Sequence, residues 1–265
     1  MAFFNDITFG QYFPAASFLH RLDPRSKLAA AFCLTGGLLL TYNLYVLAGM
    51  AVLSLLVARS GGIPLPLLMK NLRPFLWLFA LTWIIHIFWS DGRVLWVVPL
   101  TSLVVTREGL ALGGIYVTRL ALLILYAALL TLCTSPLELT DALERMTRPL
   151  KRWGVPTHEL SLMLTLSLRF IPTLLEEAQR IRNAQLSRGA RFNGSLRHRI
   201  RSLLPLLVPL FVSAFHRADE LASAMDARCY TGGEGRTVYT RLHFAWTDYL
   251  VMTGSLLFFT LCIWL

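Results

Sequence analysis

Residues 28–58 read LAAAFCLTGGLLLTYNLYVLAGMAVLSLLVA, 31 residues without a formal charge between Lys27 and Arg59. One straight helix of that length runs about 46 Å at about 1.5 Å per residue, against a hydrocarbon core of about 30 Å. Both flanks are basic, and basic flanks favour the cytoplasmic side of a membrane. The stretch therefore predicts a hairpin of two short membrane helices that turns near Thr41, Tyr42 and Asn43.

Working outward, Gly61, Gly62 and Pro64 open a cytoplasmic loop that closes at Lys70, Arg73 and Pro74. Residues 75–90 form the next apolar segment, with Trp77, Trp83 and Trp89. Indole rings favour the membrane interface, which sets the outer edge near Trp89. Asp91, Gly92 and Arg93 make a turn, and residues 94–105 are too short to span, so they read as an outer or re-entrant segment. Residues 109–137, interrupted only by Arg119, and residues 249–265 complete about five membrane segments. The expected organisation is a cytoplasmic N-terminal segment (1–27), membrane helices (28–137), a cytoplasmic block (138–241) and a last membrane helix (242–265). Only Arg93 and Arg107 then fall outside, the asymmetry that the positive-inside rule asks for.

Composition agrees. The 265 residues are 55% hydrophobic and 15% charged, with a mean hydropathy of +0.58. Soluble domains carry about 25% charged residues, which excludes an ordinary soluble enzyme, a disordered chain and a secreted disulfide scaffold. The net charge is +10, and 16 of the 25 basic residues lie between Arg145 and Arg241. Cys33, Cys133, Cys229 and Cys262 are isolated, without the paired spacing of a metal site or disulfide framework. A cleavable signal peptide is not expected from the polar, aromatic N-terminus. His86 reads as a hydrogen-bonded interior histidine. Arg119, a cation inside a span, demands an explanation by default, and pairing with a polar group within the bundle is the expected one.

The polar block is helical by pattern. Ser135-Pro136-Leu137-Glu138 has the form of a capping box with proline at the first helical position. The helix it opens ends before Pro149, and Gly154, Val155 and Pro156 break the chain, with Thr157 available to cap the next helix. Two long amphipathic helices come after that break. In the first, Leu160, Leu164, Ser167, Ile171, Leu174, Ala178 and Ile181 recur at alternating spacings of four and three. In the second, Leu207, Phe211, Ala214, Ala218, Leu221 and Met225 do the same. Such stripes give each helix one apolar seam, with Glu176, Arg180, Arg217 and Glu220 turned away, and two such helices crossing beneath the membrane is the simplest packing. Arg191, Arg197, His198, Arg199 and Arg201 form a basic linker between them, suited to anionic lipid headgroups.

Each long helix runs into a small–Arg–small ending: Ser187-Arg188-Gly189 and Ala227-Arg228-Cys229. An arginine there faces the negative end of the helix dipole, and a glycine can take the left-handed cap. Small neighbours leave the guanidinium free to grip a carboxylate with two parallel bonds.

The chain resembles the transmembrane T component (EcfT type) of energy-coupling-factor vitamin transporters. The resemblance rests on Gly10-Gln11-Tyr12-Phe13-Pro14, Ser17, His20 and Leu22-Asp23-Pro24-Arg25-Ser26-Lys27 at the start. Ser135-Pro136-Leu137-Glu138-Leu139, Pro149-Leu150-Lys151 and Leu168-Arg169-Phe170-Ile171-Pro172 carry it through the middle, and the paired arginine endings complete it. Cys229 stands where the family usually has glycine. The resemblance implies an all-α, multi-pass protein of the cell (plasma or inner) membrane with a cytoplasmic N-terminus and crossed cytoplasmic coupling helices. It implies a non-enzymatic scaffold, with no cofactor or metal of its own, that joins two ABC-type ATPase subunits to a small membrane-embedded S component for vitamin uptake. By the same resemblance Ser187, Arg188, Gly189, Ala227, Arg228 and Cys229 meet the ATPases. Leu164, Ile171, Leu174, Ala214, Ala218 and Leu221 are the expected S-component surface.

Other readings fit less well. A stand-alone secondary transporter or channel predicts internal repeats and polar residues converging at the midplane, and neither is evident. A lipid-modifying enzyme needs a metal or acid–base constellation, which the apolar runs lack. Gly232-Gly233-Glu234-Gly235-Arg236-Thr237 has neither the spacing nor the lysine of a phosphate loop. Nucleic-acid binding lacks interleaved aromatics and a recognisable module.

Overall fold

The computed structural model describes residues 13, 17–90, 92–97, 104–190, 196–232 and 244–264. Gly10, Gln11, Tyr12, Pro14, Arg191 and residues 233–243 lie outside them. Two compact units make up the chain, Met1–Ala142 with Arg241–Leu265, and Leu143–Thr240.

The first unit holds α1 (Phe18–Arg21), α2 (Pro24–Leu40), α3 (Leu44–Ser60), α4 (Leu65–Leu72), α5 (Leu76–Trp89), α6 (Arg107–Cys133) and α10 (Trp246–Trp264). The expected hairpin is present: α2 and α3 are joined by residues 41–43, where Asn43 caps α3 by accepting from the Tyr45 amide at 3.0 Å. Among the described residues, three stretches are long and apolar enough to cross a membrane, Leu65–Trp89, Arg107–Cys133 and Trp246–Trp264, and Leu44–Ser60 is a shorter apolar helix. The chain is an all-α membrane protein; among the described residues it also has a small antiparallel hairpin, β1 (Val94–Val97) with β2 (Val104–Thr106), pairing Val97 with Val104. Its described residues, 94–97 and 104–106, lie between α5 and α6.

Small residues set the helix contacts. α5 packs on α6 at Gly109 and Gly113, one helical turn apart; a Cβ on Gly109 would lie 2.5 Å from the His86 carbonyl, and one on Gly113 would lie 2.6 Å from the Trp83 ring. Gly37 of α2 faces Phe258 and Cys262 of α10 in the same way. Close backbone approach through such small-residue pairs is how helices associate in lipid. Leu38, Leu47, Met50, Leu122, Leu129 and Leu132 form the core, and the Tyr126 hydroxyl donates to the Met50 carbonyl at 2.9 Å.

Two polar nodes hold this unit at opposite ends of the hairpin. At the start of α2, Asp23 caps the helix by accepting from the Arg25 amide, and the carboxylate of Asp248, 1% exposed, accepts from the Asp23 amide (2.9 Å) and Ser26 Oγ (2.7 Å). Lys27 donates to the carbonyls of His20 and Cys133. The Asp23–Lys27 motif thus pins α2 to α10 and to the end of α6. At the turn, Arg119, 7% exposed, donates to the Thr41 carbonyl and lies 4.5 Å from the Tyr42 ring and 5.2 Å from the Tyr116 ring. A carbonyl at a helix end and two aromatic faces are apt partners for a cation in lipid, so its role is to brace the hairpin. His86 bonds the Thr82 carbonyl at 2.8 Å and packs 4.4 Å from Tyr116.

The second unit contains the end of α7 (Pro136–Thr147), a 3-10 stretch Arg148–Trp153, α8 (Thr157–Ser187) and α9 (Leu196–Ala227). The capping box that opens α7 is reciprocal: the Ser135 amide donates to Glu138 Oε2 (3.1 Å) and the Glu138 amide donates to Ser135 Oγ (3.2 Å). Gly154, at φ 81°, turns the chain out of the 3-10 stretch.

Several expectations are corrected. Residues 65–72 are a helix rather than a loop: Pro64 starts α4, which runs through the 3-10 turn Arg73–Phe75 into α5 with Leu68 buried. α6 ends at Cys133 rather than 137, because the capping box breaks the chain at residues 134 and 135. Thr157 is the first residue of α8, not its cap. α9 begins at Leu196, so residues 197–201 occupy its first turns instead of a linker; no proline stands before Pro205 to prevent it. Pro172, Pro205 and Pro209, which the sequence leaves either to kink or to start helices, lie inside α8 and α9 and start neither. Arg217 is not turned away from the neighbouring helix but reaches Glu177 across it.

Candidate functional site

α8 and α9 pack against each other, and the pairings of Glu177 with Arg217 and of His158 with Tyr230 make them run in opposite directions. Glu177 of α8 lies between Arg180 on its own helix, at 3.7 Å, and Arg217 of α9, at 4.0 Å. Toward the beginning of α8, His158 Nδ1 stands 3.0 Å from Glu144 Oε1, and its Nε2 stands 3.4 Å from the hydroxyl of Tyr230, just past the end of α9. The Arg228 end therefore sits beside the start of α8, whereas Arg188 closes its finish, 31 residues or about 46 Å away.

The two helix ends have the same backbone. At the first, the Gly189 amide donates to the Leu186 carbonyl (2.9 Å) and the Ala190 amide to the Gln185 carbonyl (3.0 Å). At the second, the Cys229 amide donates to Asp226 (2.9 Å) and the Tyr230 amide to Met225 (3.1 Å). This is the Schellman closure, in which a left-handed residue lets two amides turn back onto the last free carbonyls. Gly189 takes it at φ 86° and Cys229 at φ 57°, the non-glycine with positive φ among the described residues. The departure from glycine leaves the turn intact. In both motifs the arginine is the residue just before the left-handed turn. Both are exposed, and among the described residues neither pairs with a carboxylate. Each end thus presents a solvated guanidinium at the negative pole of a long helix, ready for a carboxylate from outside the chain.

Ser187, Gly189, Ala227 and Cys229 are exposed beside the two arginines. Of the seam residues, Ile171, Leu174, Ala214 and Leu221 are half-buried, while Leu164 and Ala218 are exposed. A further apolar face was picked out by the seam pattern at Phe211 alone: Leu204, Val208, Val212 and Phe215 of α9 are exposed beside it, Phe215 by 68%. Its spacing of four, three, one and three was legible, but it runs alongside the alanine-bearing seam that drew the helix pairing. On α8, Leu160, Met163 and Leu164 are exposed as well.

Comparison with known proteins decides the lineage. A family model described as cobalt transport protein, CbiQ, matches residues 15–239. The chain is 47% identical over 262 residues to the energy-coupling factor transporter transmembrane protein EcfT of Acidaminococcus fermentans, covering 97% of this chain and 95% of that one. It is 45% identical to EcfT of Thermosediminibacter oceani, covering 95% of each chain, and 42% identical to EcfT of Bacillus subtilis, covering 94% of this chain and 96% of that one. The chain belongs to the CbiQ/EcfT family. As an EcfT-type protein it is a membrane-spanning transport component, a class of subunit that is generally non-catalytic. The Asp23–Lys27 motif, the capping box and the arginine endings all fall within the matched residues.

Proposed function

We propose that this protein is the coupling subunit of an ATP-driven energy-coupling-factor importer. In this reading, residues 138–241 lie at the cytoplasmic face with the N-terminus, and Arg188 and Arg228 each dock on an acidic groove of one of two ABC-type ATPase subunits. Closing and opening of the ATPase pair moves α8 and α9, and their exposed apolar faces pass that movement to a small membrane-embedded S component that carries the vitamin. The observation that carries the reading is the pair of matched closures, each with an exposed arginine that pairs with no carboxylate among the described residues, about 46 Å apart along one antiparallel helix pair. One docking contact has no need of two; two separate partners do. The S-component surface combines Leu164 and Ala218 with the apolar face from Leu204 to Phe215, an exposure that needs a covering partner. Ile171, Leu174, Ala214 and Leu221 contribute by holding the two helices together.

Co-purification from mild detergent tests the assembly: two ATPase chains and a small membrane protein should accompany the tagged chain. Arg188→Ala or Arg228→Ala should each weaken assembly or transport-coupled ATP hydrolysis by roughly 2–5 kcal/mol, the usual loss when one partner of a desolvated charge pair is removed. Arg197→Ala, away from either closure, should leave both close to wild type. Equal pull-down and transport for all three variants, or a lone chain competent in transport, overturns the reading.

A further inference from the structure

A cavity of about 530 Å³ opens between α1, α2, α3 and α6 at the end of the hairpin opposite its turn. That volume falls within the roughly 300–1,000 Å³ of small-molecule sites. Its body is apolar, formed by Ala31 and Leu34 of α2, Leu56 of α3, and Tyr126, Leu129 and Leu130 of α6. Its polar groups are Lys27, Ser60 and Thr134, all gathered at one end, because the start of α2, the end of α3 and the end of α6 meet there. Thr134 is 1% exposed, and its hydroxyl has no hydrogen-bond partner, unusual for a buried polar group. Two exposed arginines adjoin lining residues in the chain, Arg21 next to Leu22 and Arg59 next to Ser60. Neither forms an ion pair among the described residues.

An apolar shaft, hydroxyls at its mouth and cations beyond them have the layout of an amphiphile with an anionic head. We propose that the cavity holds one acyl chain of an acidic phospholipid from the surrounding leaflet. Its ester region meets Thr134 and Ser60, and its phosphate meets Arg21 and Arg59. A free fatty acid would fill the shaft but leave the hydroxyls at the mouth without an ester. A zwitterionic lipid would bring a choline cation against two arginines. The bound chain braces α2, α3 and α6 where α6 ends.

Native mass spectrometry of the full-length protein, with any subunits that co-purify, tests the site. The probes are dioleoyl phosphatidylglycerol, dioleoyl phosphatidylcholine and oleic acid, added after detergent delipidation. One phosphatidylglycerol per chain should be retained, in preference to phosphatidylcholine by about tenfold, or about 1.4 kcal/mol. Ala31→Phe on one wall and Leu130→Trp on another should each lower retention of every probe by a similar factor while the protein stays monodisperse. Arg21→Gln with Arg59→Gln should keep lipid bound but bring the two phospholipids to within about twofold of each other. Wild-type protein that retains no lipid, or filled-cavity variants that retain it as wild type does, overturn the site. Equal retention of phosphatidylcholine, or displacement of the phospholipid by oleic acid, overturns the assigned head. Should one wall variant aggregate, the other and the wild-type selectivity still decide the matter.

Discussion

The ends of α8 and α9 share a hydrogen-bond pattern but differ in how each is held. At the first, glycine takes the left-handed position without steric cost, and Ala190 adds only its amide. At the second, Cys229 takes that position with a Cβ, a conformation that costs about 1–2 kcal/mol for an L-residue. There Tyr230 adds a side chain that reaches His158, which in turn meets Glu144. The difference teaches that the arginine's presentation depends on the turn and not on glycine as such. One end is closed by an unstrained backbone, the other by a strained backbone that a tertiary contact helps to hold.

Removing the arginines has the largest expected effect, and comparing the two sharpens the contrast between the ends. If each meets its own partner, Arg188→Ala and Arg228→Ala should cost similar amounts, within the roughly 2–5 kcal/mol of a broken buried charge pair. The double variant should lose both contacts. ATPase stimulation and pull-down read this, and a large loss from only one variant would mean that the ends are not equivalent.

Next in size is Gly189→Val. A β-branched residue at φ 86° is strained by roughly 1–3 kcal/mol, so the last turn of α8 should fray. Amide exchange at Gln185 to Ala190 should accelerate by one to two orders of magnitude, at about 1.4 kcal/mol per order. The end of α9 should be unchanged. Cys229→Val should accelerate exchange at its own end by less, since that position already carries a side chain.

How legible the molecule is in its sequence depends on the range of the interactions. The turn at residues 41–43, the capping box at Ser135 and the two arginine endings each depend on residues within a few positions of one another, and all are present in the structure. The partner of Arg119 is not legible: the Thr41 carbonyl lies 78 positions away, and a carbonyl has no side-chain signature. Asp248 looks like an ordinary boundary acid before the last apolar helix, yet it caps the backbone at Asp23 from 225 positions away. The contact of Arg217 with Glu177 is hidden because a single-helix pattern cannot say which flank a neighbouring helix covers. α4 is masked because its Gly-Gly-Ile-Pro entry and its basic residues are equally the marks of a loop. Of the candidate site, the two ends can be read but their opposed arrangement cannot, since it depends on Tyr230 reaching His158 across 72 positions.

Tyr230→Phe tests that contact. It removes one hydroxyl from a half-buried pairing, and a single neutral hydrogen bond contributes about 0.5–1.5 kcal/mol. Exchange at Cys229 and Tyr230 should quicken by roughly threefold to tenfold, with the end of α8 unaffected. If Arg228 docks on an ATPase as proposed, coupling should fall modestly while that partner stays bound, because the arginine is loosened and not lost. An unchanged exchange rate would show that the strained turn holds without the tyrosine.

Cys229→Gly should have the smallest effect and the opposite sign. Glycine accepts positive φ freely, which relieves the strain at φ 57°. It also enlarges the conformational freedom of the unfolded chain, which offsets about 0.4–1 kcal/mol of that gain. The net should be a stabilisation below about 1 kcal/mol, read as exchange at the Tyr230 amide slowing by roughly twofold to fivefold. Combined with Tyr230→Phe, the glycine should restore most of the protection lost with the hydroxyl, because the turn then closes as it does at Gly189. If the glycine instead speeds exchange, Cys229 is holding the end of α9 by something beyond its backbone angle, and the likeness between the two ends stops at their hydrogen bonds.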